Sequence, residues 1–172
     1  MLTDTQRLSL AIDAALHAGD IDALRRCFPA DPRFPNVEDP LTATALLALA
    51  IYRSPLPLVE RLLDLGASPN YEALDGFPSV YAALTTDRPD RHALVELLVS
   101  RGADVNGRGV NDYTPLHLAV SQRDARAMEI LLAGGADPTL KTRIDEYATA
   151  LEEAETLGNA EGAAMLRRLL VR

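Results

Sequence analysis

Leu62-Leu63-Asp64-Leu65-Gly66-Ala67, Leu98-Val99-Ser100-Arg101-Gly102-Ala103 and Leu131-Leu132-Ala133-Gly134-Gly135-Ala136 are three versions of one phrase, an aliphatic pair followed by Gly-Ala. The glycines at 66, 102 and 135 stand 36 and then 33 residues apart. Recurrence at that period marks a stack of supersecondary units, each too small to bury its apolar face without a neighbour. Thr114-Pro115-Leu116-His117-Leu118-Ala119 stands 21 residues before Gly135 and supplies the opening of the unit that Gly135 closes. The Thr114 hydroxyl suits a helix N-cap, and Pro115 falls at the first helical position, where a missing N–H costs nothing.

Outward from that motif, Leu116 and Ala119 face inward on the first helix of the pair, and Met128, Leu131 and Leu132 form the stripe of the second. Gly134-Gly135 stops that helix, because a left-handed residue closes it, and Asp137-Pro138 turns the chain away. The preceding unit replaces the motif by Gly76-Phe77-Pro78-Ser79-Val80-Tyr81-Ala82-Ala83, carries Val95, Leu98 and Val99 on its second stripe, and has a turn three residues longer near Thr86-Asp87-Arg88-Pro89-Asp90-Arg91. That polar stretch belongs in an exposed loop. The unit before it reads Ala45-Leu46-Leu47-Ala48-Leu49-Ala50, a turn near Ser54-Pro55-Leu56-Pro57, and Val59, Leu62 and Leu63, without the Thr cap or the His. Leu41 to Ile51 is the longest apolar run, about half of the roughly 20 residues that cross a bilayer, and reads as a buried helix. Pro29, Pro32, Pro35 and Pro40 make its entry segment irregular.

At the ends, a helix from Ala11 to Ala18 and another from Asp20 to Phe28 flank Gly19, with Leu24, Cys27 and Phe28 inward. Thr149-Ala150-Leu151-Glu152-Glu153-Ala154 opens the last pair, Gly158-Asn159 turns it, and Met165, Leu166 and Leu169 continue it. The chain thereby resembles the ankyrin-repeat family. The resemblance implies an all-α solenoid of about five helix-turn-helix units with short finger hairpins, the terminal units acting as caps. It implies a single domain over 1–172, with units near 4–35, 36–69, 70–105, 106–138 and 139–172. His117 is the histidine that, in this family, shares a hydrogen-bond network with the Thr of its motif.

Composition suits a globular protein, with 48% hydrophobic and 24% charged residues. No basic patch followed by an apolar stretch marks a secretory leader, so a cytoplasmic location is expected. The single cysteine, Cys27, excludes an internal disulfide. A net charge of −8 repels nucleic acid and anionic membranes and favours a partner with a basic surface patch. Lys141 is the sole lysine among 17 basic residues, a bias that suggests a GC-rich bacterial source.

No catalytic constellation is legible. His17, His92 and His117 fall in different units, and no CxxC or HExxH spacing occurs. Neither cofactor nor metal is expected. Cys27 reads as a small hydrophobe and Gly107-Arg108-Gly109 as a finger turn rather than a phosphate cradle. From Asp145 to Glu161 there are six acids and no base, which reads either as the solvated face of a cap or as a patch steering a basic partner.

On an ankyrin stack the finger tips and the exposed side of the first helices form one concave face. Carried onto this chain, the contact positions are Leu74, Asp75 and Phe77 in one finger and Val110, Asn111 and Tyr113 in the next. Along the helices they are Tyr52 and Arg53, Thr85 and Thr86, and Ser121, Gln122 and Arg123. Phe77 and Tyr113 occupy the same place in successive units, where each either meets the partner or shields the finger beneath it.

The reading is a non-catalytic module, a monomer on its own, that binds a partner protein, as a stoichiometric inhibitor, immunity-type protein or chaperone. A scaffold subunit of a larger complex is the alternative, an enzyme ranks third, and nucleic-acid binding last. The stripe register predicts that Leu132→Asp, which buries an unpaired charge, unfolds the stack cooperatively; an unchanged thermal midpoint would refute that register.

Overall fold

A computed structural model describes residues 1–71, 77–109, 112–143 and 147–170. It clusters into two compact units, Met1–Asp75 and Gly76–Arg172. The first holds α1 (Asp4–Ala18), α2 (Ile21–Cys27), α3 (Leu46–Arg53) and α4 (Leu56–Asp64). The second holds α5 (Ser79–Leu84), α6 (Arg91–Ser100), α7 (Pro115–Ser121), α8 (Ala125–Ala133), α9 (Ala150–Thr156) and α10 (Ala160–Leu170). Each unit of the sequence pattern thus contributes one helix pair.

Within the first unit, α1 packs on α2 and α3 on α4 as pairs, and the pairs meet as α1 on α3 and α2 on α4. The second unit repeats that arrangement, with an inner row α5, α7, α9 and an outer row α6, α8, α10. Ile12, Leu16 and Leu24 with Leu46, Ile51 and Leu62 form the first core; Leu84, Leu94, Leu98, Leu116, Met128 and Leu131 form the second, all fully buried.

Helix starts follow the local chemistry. Thr3 and Gln6 make a capping box for α1, Thr149 and Glu152 make another for α9, and Thr114 caps α7. Asp20 and Asp124 cap α2 and α8 by accepting from Ala23 and Ala127 N–H. Asp90, in the equivalent place before α6, gives the helix no such capping bond; its carboxylate engages Arg88 at 2.7 and 2.8 Å. Gly135 (φ +91°) closes α8 in the left-handed conformation, as the Gly-Gly pair predicts.

Two differences from the sequence pattern have clear causes. The first helix begins seven residues before Ala11, at Asp4, because the Thr3/Gln6 box nucleates it there. The apolar run from Leu41 is helical only from Leu46. Asp39 accepts from Leu41 and Thr42 N–H at 2.9 Å and Glu38 bridges antiparallel to Ala45, so this stretch is a finger hairpin and Leu41 is 56% exposed. Lys141 and Thr149 bridge in the same way before α9.

Two asparagines tie the loop that enters a helix pair to the turn that leaves it. Asn36 Nδ2 donates to Gly66 C=O at 2.8 Å and its Oδ1 accepts from Ser68 N–H at 2.7 Å. Asn106 repeats the pattern with Gly135 C=O at 3.3 Å and Asp137 N–H at 2.8 Å.

The stripe of α8 is shifted from its predicted form: Ala127, Met128, Ile130 and Leu131 are buried, whereas Leu132 is only half-buried. Leu131 is therefore the sensitive position. Leu131→Ala should lose about 2–5 kcal/mol by cavity formation, and Leu132→Ala less than half as much, measured by urea unfolding; equal losses would restore the original register.

Candidate protein-binding surface

In the second unit the inner row offers little open surface at its first helix. Every residue of α5 is buried, including Tyr81 at 6% exposure. Phe77 lies against Tyr81 at a ring distance of 5.3 Å, and Gly109 of the following finger covers the ring so closely that a Cβ there would stand 2.7 Å from it. Burial and the nearby Glu153 charge push the Tyr81 phenol up. Tyr113 repeats Phe77 one unit on, edge-on to His117 at 5.6 Å. Both aromatics are half-buried. Each covers the third residue of the helix behind it and presents its remaining surface outward.

His117 shows how tightly this edge is built. Thr114 Oγ1 lies 2.8 Å from its Nδ1, and Nε2 stands 3.0 Å from the Ala148 carbonyl. A carbonyl only accepts, so Nε2 carries the proton and Nδ1 accepts from Thr114. The network implied by the family resemblance is present, extended to the next finger.

Exposure begins at the helix ends. Thr85 is exposed, its hydroxyl donating to Ala82 C=O at 2.8 Å. Thr86, also a candidate contact, is buried at 6% and donates to Ala83 C=O at 2.8 Å, so it leaves the set. Ser121, Gln122 and Arg123 are exposed. Gln122 Nε2 donates to Leu84 C=O at 3.1 Å, and Arg123 reaches Leu157 and Gly158 C=O at 2.5 and 3.4 Å. These two side chains join neighbouring pairs as well as facing outward. In the first unit Tyr52 is 42% exposed and Arg53 pairs with Asp13 at 2.6 Å, joining α3 to α1. Leu74, Asp75, Val110 and Asn111 lie outside the described residues.

One residue of this edge was missed. Tyr147, with φ +51°, is 62% exposed and stands two residues before the Thr149 cap, in the register of Asp112 (φ +63°) before Thr114. A third aromatic close to a helix cap was the available signal. Around it, Arg143 pairs with Asp112 (2.9 Å from Nη2 to Oδ1), and Arg108 Nη1 bonds the Asp112 and Lys141 carbonyls at 2.8 and 2.9 Å, so the fingers are held in place. The Arg143 guanidinium keeps the half-buried Asp112 carboxyl below the usual range.

The acidic run divides. Glu152 serves the Thr149 cap, Glu155 pairs with Arg167 at 2.6 Å, and Glu153 is buried at 8%, so it is no part of a solvated face. Asp145 and Glu146 lie outside the described residues. Cys27 is half-buried, burial pushes its thiol up, and its Sγ lies 3.5 Å from Ala23 C=O. Among the described residues no three metal-ligating side chains gather, and no helix is long and apolar enough to cross a membrane.

Comparison with known proteins gives the class. A family model of ankyrin repeats in three copies matches residues 47–142, more than half of the chain, and the chain belongs to the ankyrin-repeat family. Three relatives are similar over long stretches. The ankyrin repeat and KH domain-containing protein mask-1 of Caenorhabditis elegans is 33% identical over 123 residues, covering 71% of this chain and 4% of that protein. The transient receptor potential channel pyrexia of Drosophila melanogaster is 30% identical over 165 residues, covering 94% and 16%. The mitochondrial disaggregase of Bos taurus is 36% identical over 135 residues, covering 73% and 19%. The chain spans less than a fifth of each. Their names differ in activity, so what they share with this chain is the repeats. Ankyrin repeats mediate protein–protein interaction, and the family is typically non-catalytic.

Burial, reinforced by the Arg108 charge, holds the His117 pKa below the usual 6.5 despite the opposing Ala148 bond. Below about 6.5 the unfolded chain takes up a proton that the folded one refuses, so stability should fall as pH drops from there toward the lowered value. The loss is at most about 1.4 kcal/mol per pH unit for one group. Urea unfolding at pH 7.5 and 5.5 should show a steeper loss for the wild type than for His117→Gln; parallel losses would refute the assignment.

Proposed function

We propose that this chain is a non-catalytic binding module for a partner protein, engaged through the finger edge and inner-helix ends. In the second unit the contacting set is Phe77, Tyr113, Thr85, Ser121, Gln122 and Arg123, joined by Tyr147; Tyr52 and Arg53 are the corresponding positions of the first. Leu74, Asp75, Val110 and Asn111 stay in the proposal on their sequence positions alone. The observation that carries the reading is Tyr147, an aromatic side chain 62% exposed two residues before the Thr149 cap, next to fingers joined by Arg108 and Arg143. Aromatic rings held rigid at a surface lose little entropy on binding and dominate interface energetics.

The net charge of −8 favours a partner with a basic face at this surface. The mode of action proposed is masking: a one-to-one inhibitor or immunity-type protein seated on its partner's working surface, acting in the cytoplasm. A scaffold role within a larger assembly is favoured by a different observation, the exposure of Leu169 and Leu170 (43% each) on α10, since permanent interfaces are more apolar.

Capture from the source cell's lysate, comparing wild type with Phe77→Ala/Tyr113→Ala and with Tyr147→Ala, tests the surface. A partner retained in near-equal amount by wild type should be lost by the double variant, and Tyr147→Ala should weaken binding by about 2 kcal/mol, roughly thirtyfold, without changing the circular dichroism. Undiminished capture by both variants would move the site elsewhere. Loss of the captured protein's own activity at one equivalent would support masking, and unaltered activity in a stable complex would support the scaffold.

A further inference from the structure

A second surface lies on the outer row of the first unit. After α2 the chain folds back through successive turns: Phe28 N–H donates to Arg25 C=O at 3.1 Å and Phe34 N–H to Asp31 C=O at 3.2 Å. Between this loop and the helix end runs an open groove of about 730 Å³. Phe28 and Phe34, with ring centroids 6.1 Å apart, give it an apolar lining, and Arg25 and Arg26 edge it from the helix. The Arg25 guanidinium sits 5.3 Å over the Phe34 ring.

Neither arginine of the groove meets a carboxylate among the described residues, a condition shared by Arg61, Arg123 and Arg168 but here combined with an aromatic lining. The chain carries an excess of carboxylates, and Arg33, Arg53, Arg91, Arg126, Arg143 and Arg167 each engage one. Among the described residues Arg25 and Arg26 engage none, although Asp22 lies on the same helix and also lines the groove. Asp31, the other acid of the lining, is taken by Arg33 at 2.8 Å. The contact with the Phe34 ring holds the Arg25 guanidinium at the groove, and its N–H groups suit a carboxylate met in two parallel bonds. Beside those donors, the phenyl rings supply a site for an apolar side chain.

We infer that this groove docks an acidic segment of a partner protein, its carboxylate bridging Arg25 and Arg26 and a neighbouring aromatic or aliphatic side chain resting on Phe28 and Phe34. The charge preference is opposite to that of the chain as a whole, so the two surfaces select different chemistry. The groove is built by α2 and its loop alone, independently of the finger edge of the second unit.

The test is an NMR titration of the full chain, following backbone amides and arginine Nε–Hε signals. The probes are the blocked peptides acetyl-Glu-Phe-Glu-Phe-Glu-amide and acetyl-Lys-Phe-Lys-Phe-Lys-amide, and inorganic phosphate. The acidic peptide should shift Arg25 Nε–Hε and the amides of 28–34 saturably, weaken at least threefold between 0.15 and 0.5 M salt, and lose tenfold or more in affinity with Arg25→Glu/Arg26→Glu, whose remaining spectrum stays that of the folded chain. The lysine peptide should leave those signals unmoved. Equal binding of both peptides, the same shifts from phosphate alone, movement of the same signals on simple dilution (a second copy as occupant), or full binding by the charge-reversed variant would each overturn the assignment. Because the probes report on 25–34, a null result at the finger edge leaves this outcome readable, and the reverse.

Discussion

Helices of six to fifteen residues cannot persist alone in water, because one hydrogen bond per residue barely offsets the ordering of the chain and the apolar face of a single pair stays wet. Everything else in this molecule follows from having to complete each pair with the next. Apolar burial does most of it, through Leu116, Met128 and Leu131 in the second unit and Leu46, Ile51 and Leu62 in the first. Polar side chains then reach across to satisfy backbone groups that a short helix leaves open: Asn36 and Asn106 on the glycine turns, His117 on Ala148, and Asn159 Nδ2 on Val120 C=O at 3.0 Å. Each such bond serves the same end as a cap, but its partner lies 29 to 39 residues away.

The surface available for recognition is what this bracing leaves over. On the inner row of the second unit α5 is wholly buried, so open surface there begins at the helix ends and the fingers. There, Gln122 and Arg123 already bond a neighbouring pair, and the aromatics Phe77 and Tyr113 each back onto the start of a helix. Side chains fixed in this way are preorganised, which reduces the cost of binding without adding a contact. The groove beside α2 follows a different logic: Arg25 is positioned by a ring, and neither it nor Arg26 meets a counter-charge among the described residues.

The repeat phrase made the architecture legible, since period, caps and glycine stops are local signals that all agree at Thr114 to Gly135. The family class follows from them. Outside that motif the local signals no longer agree. An apolar run such as Leu41 to Ile51 does not disclose that Asp39 folds its first residues into a finger, because the deciding interaction is one carboxylate accepting two backbone N–H groups. The same limit applied to the surface. Thr85 and Thr86 are adjacent and chemically alike, yet one is exposed and the other buried. Tyr147 is hard to place from sequence because its finger has no Thr-Pro signature, and Glu153 sits among solvated acids in sequence although its side of a seven-residue helix faces inward, which charge alone does not report.

The asparagine ties carry a consequence for how such a chain varies in length. Asn36 reaches residues 30 and 32 positions on, and Asn106 reaches residues 29 and 31 positions on, so both ties close a span of nearly constant length. Adding a residue inside α3, α4, α7 or α8 would rotate an apolar stripe out of its core. The turn between α5 and α6 is different: it lies at the surface, and Arg88 and Asp90 fold it onto itself. Extra chain accumulates there without disturbing the stack, which makes this turn the place where related sequences can gain or lose residues and acquire contacts of their own.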